Sequence, residues 1–186
     1  MTDATYLTGS LLLAMPGMGD PRFDHAVIAM CVHNDEGALG IGIGAIRPGL
    51  GLHALLTDIG IDPGAAPDAP IHLGGPVEQQ RGFVVHSPEW DAPGTLTVGP
   101  DWSLSASLDI LRAIAEGRGP ARWLVALGYA GWGEGQLEGE MRQHGWHAAV
   151  GHSRVVFDTP AETRWQATWR AEGIDPAHLA AATGRA

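Results

Sequence analysis

A stretch dense in glycine constrains the fold of this chain more than any other feature. Residues 127–138 read Leu-Gly-Tyr-Ala-Gly-Trp-Gly-Glu-Gly-Gln-Leu-Glu. An apolar run at 123–127 precedes the glycines, and a helical pattern begins at Gln136. We interpret this region as a strand, a glycine loop and a helix, in which the backbone comes close to another group. Trp132 lies at the centre of the loop, where so large an apolar ring either packs or binds something.

The overall composition is that of one globular domain spanning residues 1–186. Of the 186 residues, 45% are hydrophobic and 17% are charged, which suits a sizeable core. No apolar run approaches the about 20 residues that cross a bilayer, and the first residues lack the basic segment of a signal peptide. The single cysteine excludes an internal disulfide. We therefore expect a cytoplasmic protein without membrane contact.

The charge balance disfavours nucleic acid as a partner. The net charge is −10 at pH 7, and the 11 fixed cationic side chains are all arginines, no two of them adjacent. Because the chain has no lysine, Schiff-base chemistry and a P-loop lysine are excluded. Binding to nucleic acid draws on clustered cations that contact many phosphates. We therefore expect no nucleic-acid partner.

Short apolar runs bounded by glycine and proline predict strands. We expect strands at residues 11–14, 26–32, 39–46, 71–73, 83–86, 95–98, 122–127, 146–150 and 154–157. The glycines at 40, 42 and 44 lie on one face of a predicted strand, so another group must pack closely against that face.

The spacing of apolar residues predicts four helices, at 52–59, 104–115, 136–143 and 160–173. The last begins with a capping box and a proline at 159–162, and it places Trp165 and Trp169 on one face. Residues 62–70 form a surface loop, and residues 175–176 begin a last short turn. Strands and helices alternate irregularly, which favours an α+β fold with a mixed or strongly bent sheet.

Short motifs in a characteristic order run through most of the chain. They are Gly-Ser-Leu-Leu-Leu-Ala-Met-Pro at 9–16, Asp-Pro-Arg-Phe at 20–23, Cys-Val-His-Asn at 31–34, Gly-Ala-Leu-Gly at 37–40, Gly-Gly-Pro-Val at 74–77, Arg-Gly-Phe-Val-Val-His at 81–86, the glycine-rich stretch through Glu140, Val-Phe-Asp at 156–158 and Arg-Trp at 164–165. Their number and order resemble the AlgH/YqgE family of bacterial proteins. One difference is Ile46-Arg47-Pro48, where the family usually has Asn-Arg-Pro, so no role of that asparagine carries over.

The resemblance implies an α+β fold with an unusual barrel-like sheet and surrounding helices. It implies no settled activity, because most members of the family are uncharacterised. The name AlgH comes from a proposed role in regulating alginate synthesis, and such a label does not by itself show contact with DNA.

The glycine-rich stretch is itself a candidate ligand site. Glycines before a helix N-terminus resemble a phosphate cradle, but the third glycine of a dinucleotide fingerprint would fall at Gln136. The carboxylates of Glu134, Glu138 and Glu140 complement the helix dipole themselves and would repel a phosphate. We therefore favour a structural role for this stretch, with Trp132 and Gln136 as its candidate ligand contacts.

Cys31 and His33 are the alternative catalytic candidates. Because they are two residues apart in a predicted strand, they point to the same face, where the imidazole could promote a thiolate. Val27 and Ala29 share that face by the same alternation, which instead predicts a buried and unreactive thiol. In that case His33 merely ends the strand beside the turn at 34–37.

Our preferred small-ligand site combines flexible glycines with a fixed cation. It comprises Gly74, Gly75, Arg81 and His86, with Asp20 and Arg22 joining from another matching loop. Such groups can receive a carboxylate or a phosphate. In the alternative interpretation, Arg81 forms a structural ion pair with one of the 21 acidic residues.

The sequence indicates no metal or cofactor. His144, His147 and His152 form no recognised ligand pattern with a carboxylate or a cysteine. Gly-x-Ser-x-Gly and His-Glu-x-x-His, which mark hydrolases and zinc proteases, do not occur either.

Three functional hypotheses follow. The first is a non-enzymatic regulatory or binding protein that acts through a small anionic ligand or a protein partner. The second is an enzyme that uses Cys31 with His33, or Arg81 with nearby carboxylates, on a small anionic substrate. The third, a regulator that contacts DNA directly, is disfavoured by the charge. The oligomeric state is not indicated.

Overall fold

The computed structural model describes residues 6–17, 21–143 and 145–183, and within them ten strands form one mixed sheet. The side chains of residues 22 and 180–183 lie outside this description. The strands are β1 (Leu11–Ala14), β2 (Val27–Asn34), β3 (Gly37–Gly42), β4 (Ile46–Gly51), β5 (Pro70–Leu73), β6 (Val77–His86), β7 (Leu96–Thr97), β8 (Ser103–Ser105), β9 (Trp123–Gly133) and β10 (Trp146–Ala149).

The sheet is built around β9, which pairs with three other strands. Its main path runs β10-β1-β2-β3-β9-β6-β8-β7, and β5 joins it by pairing with β9 and β4. Among these described strands, the pairing of β5 with β9 is parallel and the others are antiparallel. The expected α+β fold with a mixed sheet flanked by helices is confirmed, and the path of described strands stays open instead of closing into a barrel.

Most of the predicted glycine loop is strand, which corrects the interpretation of residues 128–133. β9 continues through these glycines to Gly133, and only residues 134–135 turn the chain into the next helix. The pairing of β9 with β6 shifts register between Val77 and Gly82. Glycine within a strand typically marks such a bulge or a close backbone approach, so the glycines indicate crowding between strands.

Six α-helices flank the sheet within the described residues. They are α1 (Leu52–Asp58), α2 (Leu108–Ala115), α3 (Gln136–Arg142), α4 (Ser153–Asp158), α5 (Ala161–Ala171) and α6 (Pro176–Thr183). None of them is both long and apolar enough to span a membrane.

Three local predictions are wrong. Residues 154–157 form α4 instead of a strand, because a short apolar run does not by itself distinguish the two. The helix predicted from residue 104 begins at Leu108, since Ser103–Ser105 pairs with β6 as β8. The strand predicted at 39–46 is interrupted, with β3 ending at Gly42 and β4 beginning at Ile46.

Helix α5 begins one residue later than the predicted capping box requires. Its N-cap is Pro160, which has no side chain that can cap the helix, and the hydroxyl of Thr163 donates to the Pro160 carbonyl at 3.0 Å. The predicted common face of Trp165 and Trp169 is confirmed, because both rings are buried with their centroids 6.0 Å apart. This face closes the core over one side of the sheet.

Both faces of β2 are buried. Val27 and Ala29 pack with the tryptophans of α5, whereas Ile28 and Met30 pack on the opposite face with the cluster that contains α3. The predicted close packing against the glycines of β3 is confirmed at Gly40, where the side chains of Ile28 and Met30 leave no room for a Cβ atom. A third cluster joins α1 and α2 to β5 and β9.

Candidate functional site

A cleft of about 580 Å³ opens where the start of β2 and the ends of β3 and β5 meet the start of β6. We call it the glycine cleft. It is lined by Gly42, Gly44, Gly74 and Gly75, by the polar residues Asp24, His25, Arg47, Gln79 and Gln80, and by the apolar residues Phe23, Ala26, Val27, Ile28, Ala45, Leu73, Pro76, Leu127 and Ala130.

Gly74 and Gly75 form a wall of this cleft because β9 presses against them from behind. A Cβ atom at Gly74 would overlap the carbonyl oxygen of Gly128, and one at Gly75, where φ is +152°, would overlap the backbone of Tyr129. Both backbone groups of Gly74 are hydrogen-bonded. Its N–H donates to the Leu127 carbonyl at 2.9 Å, and its carbonyl accepts from the Gly42 N–H of β3 at 2.7 Å. The packing of the strands therefore explains the glycines, and it leaves a stretch of the cleft wall without side chains.

Arg47 is the cation of the glycine cleft. It is exposed, and no described carboxylate forms an ion pair with it. The acidic residue of the cleft, Asp24, already pairs with Nδ1 of His25 at 3.1 Å. The cleft therefore combines one unpaired positive charge with one carboxylate that has a local partner.

A second arginine lies buried next to the cleft wall. Arg164 is only 5% exposed, and its Nη1 donates to the Ile43 carbonyl at 2.7 Å and to Nε2 of His72 at 2.6 Å. Burial lowers the pKa of Arg164 to about 10, against the opposing effect of Glu162, so the guanidinium stays charged near neutral pH. Its Nε atom is buried without a hydrogen-bond partner, and no described carboxylate pairs with the group.

His72 is held neutral by this neighbour. Because Nε2 accepts from Arg164, the ring proton lies on Nδ1, which donates to the Val125 carbonyl at 3.0 Å. Burial, assisted by the charge of Arg164, lowers the pKa of His72 to about 4. A positive charge without an ion-pair partner among the described residues therefore lies next to the wall formed by Gly42, Gly44 and Leu73, which line the cleft.

His25 separates the glycine cleft from a neighbouring one. Its φ is +56°, its side chain is 59% exposed, and its ring meets Trp165 edge to face with centroids 4.3 Å apart. Beyond it lies a second cleft of about 660 Å³, which we call the C-terminal cleft. It is lined by Pro16, Gly17, Asp24, His25, Trp165, Gln166, Arg170, Gly173, Ile174, Asp175, Pro176 and Ala177.

The structure separates the residues of the preferred sequence-derived site. Gly74 and Gly75 line the glycine cleft, whereas Arg81 and His86 do not. Arg81 has a side chain that is 54% exposed, pairs with Glu78 at 3.2 Å and lies 5.1 Å above the ring of Phe83.

His86 is fully buried at the far end of β6, away from the cleft wall. Its ring nitrogens contact the Ser87 carbonyl at 3.0 Å and the Ser105 hydroxyl at 2.9 Å. Burial lowers the pKa of His86, which favours the neutral ring. These contacts are those of a side chain that joins β6 to β8.

The loop that contains Asp20 and Arg22 approaches the cleft through its last residues. Asp20 and the side chain of Arg22 lie outside the described residues, so their position relative to the cleft is not defined. Phe23, Asp24 and His25, which follow directly in the chain, line it.

Trp132 and Gln136 belong to the junction of β9 with α3. The indole N–H groups of Trp132 and Trp146 both donate to Oε2 of Glu140, at 2.9 and 3.0 Å. Gln136 accepts from the Gly133 N–H at 3.0 Å and donates to the other oxygen of Glu140 at 3.2 Å. One carboxylate thus ties β9, α3 and β10 together, which is the structural role favoured for this stretch.

Cys31 and His33 do not form a thiol–imidazole pair. Cys31 is 2% exposed, and burial raises the pKa of its thiol to about 12. Nδ1 of His33 accepts from the Leu7 N–H at 3.0 Å, while Nε2 lies 2.8 Å from Glu138. The imidazole is therefore the neutral Nε2–H tautomer, with both nitrogens engaged by other groups.

The histidines considered as metal ligands are spread over different environments. The ring of His147 lies 4.7 Å from that of Trp169, and His152 is the exposed N-cap of α4, while His144 is outside the described residues. Within the described part of the chain, no three His, Cys, Asp or Glu side chains are grouped to hold a metal ion.

Sequence reasoning missed three groups near the glycine cleft: His25, Arg47 and Arg164. Signals for two of them were present. Arg47 lies in the segment that differs from the family pattern, and Arg164 begins the last matching motif. The position of His25 depends on its positive φ, for which the sequence offers only the mild tendency of histidine toward that region.

Comparison with known proteins identifies consistent relatives. A model of the AlgH-like family matches residues 11–177. A UPF0301 protein of Novosphingobium aromaticivorans is 66% identical over 186 residues, which is 100% of both chains. A UPF0301 protein of Rhizorhabdus wittichii is 60% identical over 180 residues, which is 97% of both chains.

Solved structures show the same architecture. The solution structure of the AlgH protein from Pseudomonas aeruginosa aligns with a TM-score of 0.79 at 38% identity, over 96% of this chain and 95% of that one. A crystal structure of a protein from Corynebacterium diphtheriae shares the fold with a TM-score of 0.75 at 19% identity, over 97% of this chain and 94% of that one.

Proposed function

The chain belongs to the AlgH-like family, and from this premise we propose that it is a non-enzymatic protein that binds a small anionic ligand in the glycine cleft. The observation that carries the proposal is the unpaired Arg47 in a cleft walled by the backbone of Gly74 and Gly75. In a chain of net charge −10, an exposed cation that lines a cleft without an acidic partner among the described residues favours an anion at that place.

The buried guanidinium of Arg164 supports an anion in the same place. A buried charge without a compensating group is costly, and an anion nearby recovers part of that cost. Its hydrogen bonds reach the carbonyl of Ile43 and the ring of His72, both next in sequence to residues that line the cleft. The positive potential of this region therefore favours a negatively charged ligand over a neutral one.

The size and lining of the cleft fit a small molecule. Its volume of about 580 Å³ lies within the roughly 300–1,000 Å³ of ligand sites. Gln79 and Gln80 offer amide donors and acceptors, and Leu73 and Leu127 offer apolar contact. Asp24 on the same surface opposes an extended polyanion, so we propose a small ligand with few negative charges and no direct contact with DNA.

The side-chain contacts favour binding over catalysis at the earlier candidates. The thiol of Cys31 is protonated and buried, and the ring nitrogens of His33 are occupied by Leu7 and Glu138. A nucleophile needs an adjacent base and a position open to substrate. Cytoplasmic binding, with any regulatory effect passed on by a protein partner, completes the proposal.

Titration of the full-length protein with pyrophosphate, followed by calorimetry and by amide NMR shifts, tests the proposal. We expect saturable binding with shifts centred on Gly74 and Gly75. Arg47→Gln should weaken it at least about tenfold, because a hydrogen bond to a charged group contributes about 1.5–3 kcal/mol.

The control is Arg112→Gln, because Arg112 is an exposed arginine of α2 paired with Asp109 and away from both clefts. It should leave the affinity unchanged. A loss of binding with Arg81→Gln but not with Arg47→Gln would overturn the placement of the ligand in the glycine cleft. Absence of saturable binding by any small anion would overturn the proposed function as a whole.

A further inference from the structure

The glycine cleft and the C-terminal cleft meet at one pair of residues. Asp24 and His25 line both, and each cleft alone, at about 580 and 660 Å³, has the size of a small-molecule site. A single ligand can therefore extend from one cleft into the other past His25. The chemical character of the two ends differs, and this difference indicates the class of ligand.

The anionic end is defined by the proposed function, on which this inference rests. Arg47 and the wall of Gly74 and Gly75 belong to the glycine cleft alone. Planar guanidinium groups bind phosphate oxygens through paired donors, and a wall without side chains allows a phosphate to come close.

The other end is suited to a flat ring. The indole of Trp165 is fixed, because it is 6% exposed and its N–H donates to the Ala14 carbonyl at 2.9 Å. His25 stands edge to face against it, with an interplanar angle of 76°, while most of the imidazole remains exposed. An exposed ring held by a rigid aromatic neighbour is a stacking surface for another ring.

The backbone of His25 is strained in the conformation that places this ring between the clefts. A φ of +56° is uncommon for residues other than glycine, and it persists only where the surrounding structure holds it. The Ala26 N–H donates to the Phe23 carbonyl at 3.0 Å and closes the turn that carries His25. Strain of this kind is concentrated at functional sites, so it favours a role for the ring in ligand contact.

Polar groups around the second cleft match the edge of a nucleobase. The carboxylate of Asp24 accepts from ring N–H or amino groups, and the amide of Gln166 both donates and accepts. Arg170 is exposed without an ion-pair partner among the described residues, and a guanidinium also stacks on rings. Asp175 adds a further acceptor and disfavours a second anionic group at this end.

We infer that the two clefts form one site for a nucleoside monophosphate, with the phosphate at Arg47 and the glycine wall and the base in the C-terminal cleft beside His25 and Trp165. The shared pair of residues, the stacking ring and the different lining of the two ends together favour this class over a simple inorganic anion.

Calorimetric titration of the full-length protein with pyrophosphate, with the four common nucleoside monophosphates and with the corresponding nucleosides tests this inference. At least one monophosphate should bind about tenfold or more tightly than pyrophosphate, as expected for one stacked base. The nucleoside without phosphate should bind more weakly than its monophosphate.

Two variants locate the base. His25→Gly removes the stacking ring at a position where glycine adopts the backbone freely, and Ala177→Phe fills the C-terminal cleft from an exposed position on α6. Both should reduce the affinity for the monophosphate to that for pyrophosphate. Ala177→Phe, which lies outside the glycine cleft, should leave pyrophosphate binding unchanged. Ala54→Phe, at an exposed alanine on α1 outside both clefts, is the matched control and should change neither affinity.

The outcomes distinguish this inference from the proposed function. If pyrophosphate binds through Arg47 but no monophosphate binds more tightly, the inference is overturned and the proposed function stands. Tight monophosphate binding that is insensitive to both His25→Gly and Ala177→Phe also overturns it. If neither pyrophosphate nor any nucleoside monophosphate binds at Arg47, the proposed function and this inference both fail.

Discussion

The guanidinium of Arg164 donates a hydrogen bond of 2.6 Å to Nε2 of His72, so a fixed charge and a neutral imidazole share one buried contact. Protonation of His72 would remove the acceptor and place two positive charges together in the core. The contact therefore makes the stability of the fold depend on pH.

We predict that acid destabilises the protein through His72. Its pKa falls from 6.5 to about 4 on folding, so the unfolded chain takes up the proton first as the pH drops. The associated stability is fully present above about pH 6.5 and is lost as the pH falls through about 4, with a total of about 3 kcal/mol.

His72→Gln supplies the comparison, because an amide can accept from Arg164 and donate to the Val125 carbonyl without titrating. Urea unfolding between pH 6.5 and 4 should show a shallower loss of stability for the variant than for the natural protein. The lowered pKa of His86 contributes equally to the pH dependence of stability in the variant and in the natural protein. Equal slopes for the two proteins would contradict this role of His72.

We predict that Gly74→Ala destabilises the cleft wall. The new Cβ atom would meet the carbonyl oxygen of Gly128, which belongs to the central strand β9 and cannot move without disturbing three neighbouring strands. Overpacking of this kind costs about 1–3 kcal/mol. Gly82→Ala in β6 is the control, since a Cβ atom there meets nothing within 4 Å, and its denaturation midpoint should barely change. Similar losses for both variants would show that the wall is not tightly packed.

We predict that Cys31 reacts slowly in the folded protein. Burial raises the pKa of its thiol to about 12, so almost no thiolate is present at neutral pH. Titration with a disulfide reagent should be slow in buffer and rapid in denaturant, and the single cysteine makes the readout unambiguous. Labelling at the same rate in both conditions would favour a catalytic or redox-sensing thiol.

We predict no measurable binding to duplex DNA near 150 mM salt, the physiological ionic strength. At least four of the 11 arginines already pair with acids, namely Arg81, Arg112, Arg118 and Arg122. The remainder cannot easily gather the several phosphate contacts that such affinity requires. Fluorescence anisotropy with a labelled duplex provides the measurement, and saturable micromolar binding would restore the hypothesis of a DNA-binding regulator.

The local elements could largely be predicted from the sequence, because their signals are local. Apolar runs between glycine and proline located β1 and β5, and helical spacing located α1 and the paired tryptophans of α5. Residues 128–133 were misread because glycine marks both loops and crowded strands. Only the pairing of β9 with β3 and β6 distinguishes the two, and pairing is a tertiary property.

The ligand cleft could be predicted only in part, because its groups come from distant parts of the chain. Gly74 and Gly75 were recognised from their motif, and Arg81 was added because it is near in sequence. In the folded chain β6 carries Arg81 away from the wall, and Arg47 arrives there from β4. No short-range pattern links residues 25, 47, 74 and 164, so their convergence becomes visible only in three dimensions.

The position of β1 between β2 and β10 has a consequence for the order of events during synthesis. Leu11 pairs with Ala29 of β2 on one side and with Ala149 of β10 on the other. Because the two partners are about 120 residues apart in the chain, β10 leaves the ribosome long after β2 does. Until then Leu11, Leu12 and Leu13 form an unprotected apolar edge on a growing chain. A nascent chain halted before residue 146 is therefore expected to aggregate more readily than the complete chain.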